Sequence, residues 1–82
     1  MSINNDKNIF STSDLALAAA ISLYYPIQSI NKSRNSKRVF FIFLKDKNFD
    51  LYIERFYRGE LRIDPQKYFQ NLKSLKNRIY NG

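Results

Sequence analysis

The sequence predicts a single small α+β domain, ordered helix–β-hairpin–helix–short strand–helix, with a strand near residues 38–44 packed under the helices. Three observations predict it. Val39-Phe40-Phe41-Ile42-Phe43-Leu44 is a short, aromatic and β-branched apolar run, the pattern of a buried strand. An Ala-rich run follows a cluster of capping residues at Ser11-Thr12-Ser13-Asp14. Asp64-Pro65 opens a second amphipathic segment with a helix-start pair, since Asp caps free amides and Pro suits the first helical position.

The elements follow in order. Residues 1–9 are expected to be a flexible N-terminal segment, and residues 10–82 the domain. Leu15-Ala16-Leu17-Ala18-Ala19-Ala20-Ile21-Ser22-Leu23-Tyr24 favours a helix that is apolar almost all round, hence central, with small side chains that admit a close neighbour. Pro26 stops it by removing a donor and biasing Tyr25 away from the helical region. Ile27-Gln28-Ser29-Ile30-Asn31 alternates weakly and reads as the first hairpin strand, with a turn near Asn35-Ser36. In the return strand, Val39, Phe41 and Phe43 share one face and Phe40, Ile42 and Leu44 the other. Both faces are apolar, so both call for cover, from this chain's helices or from a partner.

Asp46 or Asn48 then caps a helix carrying Phe49, Tyr52, Ile53 and Phe56 at helical spacing, and Gly59 ends it in a left-handed residue. Leu61-Arg62-Ile63 alternates and is expected as a short edge strand. The last helix carries Tyr68, Phe69, Leu72, Leu75 and Ile79 as its apolar stripe.

Composition narrows the chemistry. The 82 residues contain no Cys and no His, which removes disulfides, the usual zinc, haem and copper ligands, and the commonest general base. The expectation is a non-enzymatic protein without metal or cofactor. Asp50, Glu54 and Arg58 fall on one flank of the second helix; two carboxylates make a poor metal cage, and a Glu54–Arg58 ion pair on a solvated face is the simpler account. A carboxylate enzyme built on Asp50 and Glu54 is the remote alternative. No apolar stretch reaches the roughly 20 residues of a membrane span, and the first residues lack the pattern of a signal peptide, so the expected location is cytoplasmic.

Net charge is +7, and it is unevenly placed. Residues 1–30 hold Lys7 against Asp6 and Asp14; residues 31–38 hold four cations and no carboxylate; residues 39–82 hold nine cations against five carboxylates. Lys32, Arg34, Lys37 and Arg38, interleaved with Asn31, Ser33, Asn35 and Ser36, make a basic hairpin tip suited to phosphates, and a two-stranded ribbon fits a DNA major groove. Lys73, Lys76 and Arg78 form a second basic cluster, although cations near a helix C-terminus also suit its dipole. The leading expectation is sequence-nonspecific binding of DNA or RNA through these seven residues. The runner-up is a protein-interaction or accessory subunit, a homodimer among the options, that uses the two-faced strand or the Tyr-rich surface. Solubility alone also accounts for a basic surface, and an AT-rich genome for some of the Lys. The run Lys37–Phe43 departs from the RNA-recognition strand motif, because the small residues between its aromatics are missing.

Thr12-Ser13-Asp14-Leu15-Ala16-Leu17-Ala18-Ala19-Ala20, Arg38-Val39-Phe40-Phe41-Ile42-Phe43, Tyr57-Arg58-Gly59-Glu60-Leu61-Arg62-Ile63, Lys67-Tyr68-Phe69 and Leu75-Lys76-Asn77-Arg78-Ile79-Tyr80 together resemble a small family. It is the domain-of-unknown-function family numbered fifty-six fifty-nine, compact proteins of bacteria and their mobile elements. The resemblance spans roughly residues 10–80. It implies a stand-alone α+β domain in a phage or mobile-element setting, and it brings no activity or catalytic residues.

Overall fold

β3 (Val39–Leu44) is the middle strand of a three-stranded antiparallel sheet in the computed structural model, which describes residues 8–32 and 38–81. Its neighbours are β1 (Ile9–Thr12) and β2 (Ile27–Lys32), giving the order β1-β3-β2. Between β1 and β2 the chain forms α1 (Leu15–Ile21); after β3 come α2 (Phe49–Arg58) and α3 (Pro65–Asn81). The α+β architecture read from the sequence is the one observed. The expected turn at Asn35-Ser36 lies outside the described residues.

Register assigns the faces, because directly paired residues project to the same side. Phe10 pairs with Phe43, Thr12 with Phe41, and Ile30 with Phe41. An irregularity between Ile27 and Ser29 lets Ile27 meet Phe43 on that same inner face. The helices cover this face: Phe41, Phe43 and Phe49 form one buried cluster with Leu17, Ala18, Ala19 and Ile21 of α1 and Leu75 of α3. Each buried Phe contributes roughly 1.5–3 kcal/mol. The outer face pairs Ile9 with Leu44, Ser11 and Ser29 with Ile42, and Asn31 with Phe40. None of these outer residues belongs to the core or to the half-buried ring around it.

α1 gives way after Ser22, whose N–H still reaches Ala18 O and whose hydroxyl donates to Ala19 O at 2.9 Å. The N–H groups of Leu23 and Tyr24 reach back only three residues, to Ala20 O and Ile21 O. Asp14 caps its start, accepting from Leu17 N–H at 3.1 Å. Ala18, Ala19 and Ala20 are fully buried, and their small side chains let α1 lie close to α3. Two polar ties fix that pair: Tyr68 Oη donates to Ala16 O at 3.3 Å, and Asn71 Nδ2 to Ser22 Oγ at 2.9 Å. Gly59 ends α2 at φ 72°, and Asp64 caps α3 by accepting from Gln66 N–H at 2.9 Å.

Three expectations need correction. Ile9–Thr12 is a strand, so Ser11 and Thr12 belong to the sheet, and the helix start narrows to Asp14. The open edge of β3 recruits this strand, whose four residues are too few to show a period. Leu61-Arg62-Ile63 forms no strand: it lies in the four-residue linker between the C-cap at Gly59 and the N-cap at Asp64. The Ala-rich helix stops at Ile21 rather than Tyr24, five positions before Pro26.

Candidate nucleic-acid interface

All of the chain's excess positive charge lies in two segments without a carboxylate. Residues 27–44 and 65–82 together hold eight cations and no Asp or Glu, whereas the remainder holds six cations against seven carboxylates. The fold joins these segments at one end. Lys32, the last residue of β2, donates from Nζ to Ile79 O in the final turn of α3 at 3.4 Å. The contact has its own structural logic, because an ammonium group offsets the unpaired carbonyls and negative dipole of a helix C-terminus. Its consequence is that the hairpin and the cationic end of α3 form one neighbourhood.

Within that neighbourhood Lys32 and Arg38 are exposed, Arg38 standing immediately before β3. Arg34 and Lys37 lie outside the described residues. On α3, Lys73, Lys76 and Arg78 are exposed and make no ion pair among the described residues. They do not share a face. At about 100° per residue, Lys73 and Lys76 are about 60° apart on one flank, while Arg78 is about 140° or more from either. Arg78 instead lines a small polar cleft of ≈ 240 Å³ with Ser22, Ile27, Asn71, Ser74 and Leu75.

Asp50 and Glu54 are both engaged by cations. Glu54 Oε2 accepts from Arg58 at 3.0 Å, and Asp50 Oδ1 is 3.3 Å from Lys45 Nζ. No cluster of three or more metal-ligating side chains occurs among the described residues. No helix among them is long and apolar enough to cross a membrane.

A second concave feature, not anticipated from the sequence, is a groove of ≈ 720 Å³ between the α1–β2 turn, α2 and residues 60–62. Tyr24, Tyr25 and Tyr52 line it with Leu51, flanked by Arg55 and Arg62 and by Asp46 and Glu60. The tyrosines stack edge to face, at 5.4 Å for Tyr24–Tyr52 and 5.8 Å for Tyr25–Tyr52. Tyr25 Oη donates to Asp46 Oδ1 at 2.8 Å, and Tyr52 Oη to Ala20 O at 2.6 Å. Burial, then the hydrogen bond and charge of Asp46, pushes Tyr25 up to about 12. Burial, then neighbouring Tyr24 and Tyr25, pushes Tyr52 up to about 12. Both phenols therefore stay protonated donors near neutral pH. They knit α1, the β3–α2 loop and α2 together, and the two cations of the groove are matched by two carboxylates.

Fold and site define a small α+β domain in which two cationic segments that hold no Asp or Glu meet. No family model matches the chain, and no curated protein or solved structure matches it.

Proposed function

We propose that this chain is a non-enzymatic nucleic-acid-binding domain that contacts the phosphate backbone through its hairpin and α3 without reading sequence. The observation that carries the reading is the segregation of charge: two segments distant in sequence, both free of carboxylates, meet at the Lys32–Ile79 contact. A surface of one sign attracts a polyanion by releasing its condensed counterions. Lys32, Arg34, Lys37 and Arg38 supply the hairpin contacts, and Lys73, Lys76 and Arg78 those of the helix. The resemblance noted above fits a bacterial or phage setting for such a protein.

Fluorescence anisotropy of labelled single-stranded and duplex DNA and RNA, at about 50 and 200 mM salt, tests this where phosphate contacts respond most. If about five phosphates are neutralised, the log–log salt slope is about −4 to −5 on duplex DNA and about −3.5 on single strands. Changing Lys32, Arg34, Lys37 and Arg38 together to Ser should abolish most of the binding. Absence of binding to all four ligands at the lower salt overturns the proposal.

One observation favours a second reading. Leu44 is 52% and Ile9 37% exposed, side by side on the outer sheet face with half-buried Phe40 and Ile42. An apolar sheet face of this kind suits a protein partner, including a second copy. Association that persists at high salt, measured by concentration-dependent mass, separates this reading from phosphate binding.

A further inference from the structure

The proposal above concerns phosphates, which single strands and duplexes share; α3 carries a feature that distinguishes them. At about 100° per residue, Phe69, Lys73, Lys76 and Tyr80 fall within an arc of about 60°, and the first and last are about 16 Å apart along the axis. The buried side of the helix, marked by Leu72, Leu75 and Ile79, lies elsewhere. Phe69 is 59% and Tyr80 79% exposed. Among the described residues, Phe69 has one ring contact, with Tyr68 at a centroid distance of 5.8 Å, and Tyr80 has no ring or hydrogen-bond partner.

A single exposed aromatic needs no explanation. Two aromatics bracketing two lysines along one flank, on a helix with no Asp or Glu from Pro65 to its end, are a different case. Two π-faces with two ammonium groups between them match two separated bases of an unpaired strand and the phosphates that link them. In a duplex the base faces are already stacked on one another, and only edges and phosphates remain to be met.

We infer that the Phe69–Lys73–Lys76–Tyr80 flank is a stacking platform for single-stranded nucleic acid, with bases on the two rings and phosphates on the two lysines. The inference rests on the nucleic-acid reading and sharpens it into a choice of ligand class. Arg78, on the far flank, takes no part in the platform.

The test uses the full chain with two labelled probes, a thymidine oligonucleotide and a duplex of equal length. Phe69→Ala and Tyr80→Ala should each weaken single-strand binding by about fivefold to 150-fold, the range that loss of one stacked base produces. Duplex binding should change by less than about twofold, and neither variant should alter the salt slope. Lys73→Gln with Lys76→Gln should reduce the single-strand salt slope by about 1.4, at about 0.7 per phosphate. Both rings lie outside the core, so melting curves should match wild type and exclude misfolding as the cause. Single-strand binding that survives loss of both rings overturns the platform and leaves the phosphate reading intact. Wild-type protein that binds neither probe overturns both.

Discussion

The two faces of β3 are nearly equal in apolar content and opposite in fate. Phe41 and Phe43 are 1% and 0% exposed beneath the helices, whereas Leu44 is 52% exposed and Phe40 and Ile42 are only half-buried. All three helices pack on the side where Phe10, Ile27 and Ile30 add their bulk. The outer face has Ser11, Ser29 and Asn31 beside its apolar strand. What decides the covered side is therefore the composition of the flanking strands, and β3 alone does not choose. A face with polar neighbours can remain wet at little cost, because its backbone groups are paired within the sheet.

Substitutions sharpen this contrast. Phe43→Ala should cost about 3–5 kcal/mol, the usual range for a fully buried Phe, read as a lower denaturation midpoint. If it cost under about 1 kcal/mol, the assignment of faces would be wrong. The helical cover should be sensitive next. Tyr52→Phe removes the bond to Ala20 O that ties α2 to α1, and should cost about 1 kcal/mol in the same denaturation experiment.

Alkaline pH probes the same cover. Tyr25 and Tyr52 hold their protons to about 12, against an ordinary 10. The folded chain thus retains protons that the unfolded chain releases above pH 10. The stability they contribute is fully present below pH 10 and is lost as pH rises through about 12. Thermal melts across that window should fall, and the Tyr25→Phe/Tyr52→Phe double variant should fall less steeply. The smallest effect belongs to the outer face. Leu44→Ser should change stability by no more than about 0.5 kcal/mol. The same variant should lower the mass of any oligomer that persists at high salt, by analytical ultracentrifugation.

Much of this was legible in the residues because it is local. Val39–Leu44 announced a strand through six apolar residues, Gly59 a left-handed helix end, and Asp64-Pro65 a helix start. β1 was hidden because Ile9-Phe10-Ser11-Thr12 has only two apolar residues, and its hydroxyls resemble helix caps. The alternation of Leu61-Arg62-Ile63 suggested a strand, but caps on either side leave it only the reach of a linker. In the candidate interface, sequence gave the cations but not their meeting, because the Lys32–Ile79 contact spans 47 positions. The separation of Arg78 from Lys73 and Lys76 was available from helical periodicity alone. So was the flank shared by Phe69 and Tyr80, which counting Phe69 into the apolar stripe obscured. The tyrosine groove could not be foreseen, since Tyr24, Tyr25 and Tyr52 converge only once α2 folds back over α1.

The pairing of α1 with α3 bears on how the chain comes to be folded at all. Tyr68 reaches back 52 positions to Ala16, and Asn71 reaches back 49 to Ser22. During synthesis, the alanine helix and the phenylalanines of β3 emerge well before the helix that seals them. Long-range closure of this kind slows folding, and waiting apolar surface invites aggregation. A message truncated before α3 would release a chain whose core lacks Leu75 and whose alanine helix has lost both of its distant ties.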